Sequence, residues 1–181
     1  LAGNVAVFAD DTINLSGSES VDVTPIKEKD SAENSFLVET STTGEDYQQD
    51  VYWFGNTNSM NDITIGNDLI GAGYMLTVNQ AVIKGSIRTC TYDLSLRGVD
   101  VAHNMTVAGN RLYFDDETKA KGIYAAGNDI VFNGECDSIN AGGNTIVLNG
   151  IVNGDARIDG SEITIGSDAV VTGKLIVYGA Y

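Results

Sequence analysis

Few side chains in this chain could do acid, base or nucleophilic work, and their spacing sets the first question. Histidine occurs once, at His103. A metal centre or a catalytic triad needs further imidazole, thiolate or carboxylate groups held against the first. No second histidine exists, and neither Cys nor Asp stands immediately beside His103. The carboxylates are spread along turns rather than paired at strand ends. Their densest group, Asp115-Asp116-Glu117, reads as a solvated corner ahead of a calcium site, because the glycine-aspartate nonapeptide of calcium-binding β-rolls is missing. No glycine-rich phosphate loop with its lysine is present. The stretch Ile165-Gly-Ser-Asp-Ala-Val-Val171 holds one hexad that would suit a hexapeptide-repeat acyltransferase with His103 as base, but the other coils do not keep the hexads. The residues therefore nominate no catalytic, cofactor-binding or metal-ligating position, and the expectation is a protein that is not an enzyme and needs no cofactor.

Whatever the chain does must rest on its architecture, and the architecture is periodic. Ile123–Gly150 contains one unit twice: an alternating apolar pair closed by glycine, then a second pair closed by Asn133-Gly134 or Asn149-Gly150. Alternation signals strand and Asn-Gly signals turn. With the glycine that closes the first strand as marker, the series is Gly55, Gly73, Thr91, Gly109, Gly127, Gly143, Gly160 and Gly179. Its spacings are 18, 18, 18, 18, 16, 17 and 19. Four residues before the marker lie Val51, Leu69, Ile87, Met105, Ile123 and Ile139. Three after it lie Leu76, Leu94, Leu112, Ile130, Ile146 and Ile163, and five after it Met60, Val78, Leu96, Phe114, Phe132 and Leu148. A looser third column, nine after the marker, holds Val82, Cys136, Val152 and Ala169. Helical spacing of apolar residues is scarcely seen. The pattern predicts an all-β, single-stranded parallel β-helix of about seven coils over 51–181, rising ~4.8 Å per coil to ~34 Å.

The register makes further expectations. Cys136 falls in an inward column, whereas Cys90 lies beside Ala72, Ala108 and Ala126 in an outward one. Two free thiols follow, since a disulfide needs Cα atoms within ~7 Å. Asn56, Asn110, Asn128 and Asn144 follow their markers and could form a hydrogen-bonded ladder. Residues 1–50 break the period. Thr12–Gly17 resembles the second strand of a coil, and Ser18–Asp50, polar and acidic with the single proline Pro25, reads as a cap on the first coil. Val51-Tyr-Trp-Phe54 sits where cap and solenoid meet, with packing favoured over an aromatic platform for sugar or partner. At the other end, Leu175–Tyr181 is apolar and carries no polar cap residues, so either the chain continues or this end docks onto something.

Composition narrows the partners. Ten Lys and Arg against 25 Asp and Glu give a net charge of −15 and a pI near 4.1. Such a surface repels phosphate backbones, so nucleic acid is a poor partner. No apolar run approaches the ~18–20 residues that cross a membrane. Leu1–Ala9, leading into Asp10-Asp11, reads as a mature start behind a removed leader, which implies an extracellular or envelope location.

Gly71-Ala-Gly73, Tyr124-Ala-Ala-Gly127, Ile130-Val-Phe-Asn-Gly134, Val152-Asn-Gly-Asp155 and Ile163–Gly173 resemble the repeats of bactofilin-type, polymer-forming cytoskeletal proteins. The likeness is greatest to secreted or envelope-attached members from Gram-positive bacteria. It covers Val51–Gly179 well and Phe8–Gly17 faintly. It implies a right-handed β-helix, a structural role and nucleotide-free assembly end to end, and supplies no catalytic residues. A capping segment at Ser18–Asp50 would block stacking at that end. The reading is a non-enzymatic structural or adhesive β-helix of the bacterial envelope, associating end to end through a terminal coil or with a cell-wall or surface partner. The alternative is a β-helix that binds or cleaves polysaccharide.

Overall fold

The computed structural model describes residues 33–179. Within them the chain is all-β, with thirteen strands joined in one sheet by parallel pairing. Three short strands come first, β1 (Ser35–Val38), β2 (Ser41–Thr43) and β3 (Asp46–Tyr47). Long strands β4 (Val51–Ile65), β5 (Leu69–Ile83) and β6 (Ile87–Val101) follow, each tracing nearly a whole coil. Next come β7 (Asn104–Phe114), β8 (Lys119–Phe132) and β9 (Glu135–Leu148). The series closes with β10 (Ile151–Val152), β11 (Ala156–Ile165), β12 (Val170–Val171) and β13 (Leu175–Gly179). This is a β-solenoid of about eight turns, each residue pairing with one some 18 positions on: Val51 with Leu69, Leu69 with Ile87, Ile87 with Met105. Like side chains thus stack on like, and one continuous core runs from Val51 to Ile163.

The two main columns lie where alternation puts them, with Leu76, Leu112, Phe114 and Phe132 buried. The marker column is glycine because successive coils approach closely there. A Cβ on Gly73 would lie 2.1 Å from the carbonyl oxygen of Gly55, and one on Gly109 2.0 Å from that of Thr91. Thr91 keeps a side chain in this column, and its buried hydroxyl donates to the Tyr74 carbonyl at 2.9 Å.

The third leg departs from the expected column. Val82 is 47% exposed, and the inward residues beside it are Ala81 and Ile83. Cys136 and Val152 do face inward, paired in register with Ala120 and with each other. The cause is the corner before this leg. In the early coils it holds Asp62, Gln80 and Gly98, all at positive φ, which moves the inward positions along the chain. In later coils the corner changes length: Asp100 pairs with Lys119, nineteen residues on, and Lys119 with Glu135, sixteen on.

The solenoid also begins a coil earlier than the expected boundary at residue 51. β1 pairs with β4 from Ser35↔Val51 to Val38↔Phe54, and β2 and β3 continue the same coil along β4. Ser35–Tyr47 is therefore solenoid, not an irregular excursion. It escapes periodicity because polar residues fill its inward positions: Thr42 lies under Met60, and the Thr42 and Tyr47 hydroxyls hydrogen-bond at 3.1 Å. Asn58 extends this polar layer into the next coil. It is buried in the column of Leu76, accepts from the Thr40 N–H and donates to the Phe54 carbonyl, both at 3.0 Å. A polar first layer of this kind covers the apolar stack as the expected cap would. The expectations for Leu1–Ala9, Thr12–Gly17 and Ser18 to residue 32 fall outside the described residues.

Candidate functional surface

The titratable residues of neighbouring coils meet in isolated ion pairs, Arg88 with Asp68, Arg111 with Asp93 and Lys119 with Glu135. His103 sits on an exposed corner, where its N–H donates to the Gly85 carbonyl at 3.1 Å and its carbonyl accepts from the Lys121 N–H at 2.9 Å. Among the described residues, no three His, Cys, Asp or Glu side chains gather as a metal would require. Asp115 is more than a solvated corner. Both carboxylate oxygens accept from the Gly98 N–H, at 3.0 and 3.1 Å, and the Thr118 hydroxyl donates to one of them at 2.7 Å. Asp115 thereby fastens the corner of one coil to the next. Asp116 and Glu117 remain exposed. The Ile165–Val171 hexad forms the last corner and third leg, with Val170 and Val171 stacked on Ile151 and Val152.

Side-chain ladders exist, but on other columns than the expected one. Asn56, Asn110, Asn128 and Asn144 make no side-chain hydrogen bonds to one another. Asn79 instead donates to Asn61 at 2.7 Å and Asn149 to Asn133 at 3.0 Å, at the corner closing the second leg. There the side chains point along the rod toward the same position one coil away. A second ladder, unforeseen from sequence, runs down the corner before the first leg. Asp50 accepts from the Asp68 N–H at 3.0 Å, Asp68 from the Ser86 N–H at 2.7 Å, and Asp155 from the Lys174 N–H at 2.8 Å. The 18-residue recurrence of Asp50 and Asp68 is the signal that could have found it.

The cysteines fall as the register requires: both are free, Cys90 exposed and Cys136 buried. Burial, with the adjacent charges of Asp137 and Glu135, pushes the Cys136 thiol up to about 12. The thiolate is the reactive form, so Cys136 is inert at neutral pH. A maleimide is expected to label one thiol per folded chain, at Cys90, and two after denaturation. Because folding raises this pKa from an unfolded value near 9, the neutral thiol is favoured in the fold. Its stabilisation is full below pH 9 and lost as pH climbs towards 12. Denaturation midpoints of the parent should fall more steeply over that range than those of Cys136→Ala, and parallel curves would contradict the buried thiol.

The outward columns give the three faces different characters. The second face carries Asp93, Asp129 and Glu162, with Arg111 forming a two-pronged ion pair to Asp93. The third carries Asp46, Asp100 and Glu135, the last held by Asn153 at 3.0 Å and Lys119 at 3.3 Å, which lowers its carboxyl pKa. The first face has no carboxylate on its outward columns from Phe36 to Gly142. Trp53 does not belong to that surface, since its indole is fully buried, so the packing reading holds for it. Tyr52 and Phe54 do reach the surface, with Phe36 stacked on Tyr52 at 5.2 Å between ring centres. No protein family, curated protein or solved structure matches this chain.

Proposed function

We propose that this β-solenoid is a structural or adhesive rod of the bacterial cell envelope, without catalytic activity, that associates end to end through its C-terminal coil. The observation that carries the reading is the state of β13. Leu175 and Val177 continue the columns of Ala156 and Ile158, both buried one coil earlier, yet Leu175 is 43% exposed and Val177 half-buried. Stacking another coil there would bury apolar side chains and pair the edge of β13 that pairs with no strand among the described residues, the operation that joins every other pair of coils. Regular coil length and stacked side chains suit a spacer, whose stability is a sum of neighbour interfaces. The envelope location rests on the resemblance of the glycine-closed repeats.

Light scattering behind size exclusion, over a range of concentrations, tests the end-to-end contact, with electron microscopy of the most concentrated sample. End-to-end dimers or filaments are expected, and Leu175→Asp should abolish them. A mass of one chain at every concentration would overturn the assembly reading.

A further inference from the structure

The face of the first leg is set apart by charge, shape and area together. Phe36, Val38, Tyr52, Phe54 and Ile70 point outward over its first three coils, with Phe36 68% exposed. Beyond them one outward column shrinks to Ala72, Cys90, Ala108, Ala126 and Gly142, adjacent in register. On a chain of net charge −15, these coils place a single charged side chain, Arg88, on this face. Side-on approach of two copies is therefore opposed least here, since the second and third faces carry carboxylates.

We propose that this face packs against the same face of a second copy of the chain, giving a two-fold, sheet-on-sheet dimer. Facing sheets stand ~10 Å apart, a separation that small outward residues permit. A two-fold axis through the middle of the face, between Cys90 and Ala108, sets the bulky end of the Phe54 column over the small end of its partner's, and sets Ile70 against the exposed Tyr124 in the other outward column. Phe54 of one copy then faces Gly142 of the other, and Ala72 faces Ala126. Parallel docking would instead set aromatic against aromatic and leave a gap over the small residues. Strands of five residues in the six coils that face one another from Tyr52 to Gly142 make a face about 17 Å by 29 Å, or roughly 490 Å² per copy. The coils beyond set Phe36 and Val38 over the exposed Arg157 and Asp159 at the rim. The central patch buries about 1,000 Å² in all, the lower bound for a specific interface. The contact is lateral, so it stands independently of the end-to-end association proposed above.

Cys90 supplies the test, because it lies beside the two-fold axis and is the one reactive thiol of the folded chain. In the Leu175→Asp protein, which lacks the end-to-end contact, a short bis-maleimide added at neutral pH is expected to link two chains through Cys90, and light scattering should report twice the 19.1 kDa chain mass. Ala108→Glu should abolish both signals with unchanged circular dichroism. Thr164→Glu, which adds the same charge to the second face, should leave both intact. Loss of every dimer in Leu175→Asp alone would overturn the lateral contact and keep the end-to-end one. A monomer would also overturn it. Rapid labelling of Cys90 would then mean an open face, and slow labelling a face covered by another part of its own chain. Equal loss in Ala108→Glu and Thr164→Glu would reduce the effect to general repulsion and sink the specific face.

Discussion

Phe132→Asp is expected to unfold or split the rod, while Asp129→Ala, three residues away, stays within about 0.5 kcal/mol of the parent. Phe132 is fully buried between Phe114 and Leu148 in register, and its ring meets that of Phe114 edge-on at 5.8 Å between centres. Removing such a ring costs about 3–5 kcal/mol. The replacing carboxylate would have no partner in an apolar column, which adds several kcal/mol more or forces it to stay protonated. Against a total stability of roughly 5–15 kcal/mol the fold has little left. Coil stacking offers no detour, because the coils on either side both rest on this position. Asp129 points outward on the second face, in register with Arg111 and Thr145, and none of the ion pairs among the described residues includes it. Urea midpoints followed by circular dichroism compare the two variants. Similar shifts would mean that the inward and outward columns are misassigned.

Those columns were legible in the sequence for the first two legs because their corners are closed by residues of constant spacing. The glycine or threonine after the first leg recurs at the period of the coil, so counting from it finds the inward positions of both legs. The third leg was obscured because its corner is set by backbone conformation rather than by a residue type. Asp62 and Gln80 take the left-handed conformation there, which neither residue advertises, and Gly98 takes it in the following coil. Asp115 was read as a free corner because its role depends on the Gly98 amide, seventeen positions away. The first coil, Ser35–Tyr47, was missed for the opposite reason. A layer that ends a stack exchanges apolar side chains for Thr42 and Asn58, and so erases the signal by which interior coils are recognised. The acid-poor face was within reach of the sequence, since the register of the first leg already sets Ala72, Cys90, Ala108 and Ala126 outward; what it hid was Phe36 and Val38, in the coil whose period is erased.

Gly71→Val is expected to cost about 3 kcal/mol or more and to shift tryptophan fluorescence to the red. Trp53 is the only tryptophan, and its indole is too large for a column whose other members include Leu37, Thr89 and Val107. The ring spreads over the next coil, into space that two glycines leave open. A Cβ on Gly71 would lie 2.5 Å from Cδ1 and 2.7 Å from Nε1 of the indole, and one on Gly73 2.5 Å from Cζ3. The same Cβ on Gly71 would meet the Trp53 carbonyl oxygen at 2.0 Å, so the backbone must shift as well. The buried Nε1 makes no hydrogen bond, which leaves the ring held by shape alone. A valine at position 71 should therefore drive the indole towards solvent rather than tilt it within the core. Trp53→Ala is expected to cost about 3–5 kcal/mol by itself. Combined with Gly71→Val it should cost clearly less than the sum of the two, because each change occupies or vacates the same space. Additive losses, with emission of the Gly71→Val protein unchanged, would mean that the two residues do not share that space and that the aromatic anchor of the first coils lies elsewhere.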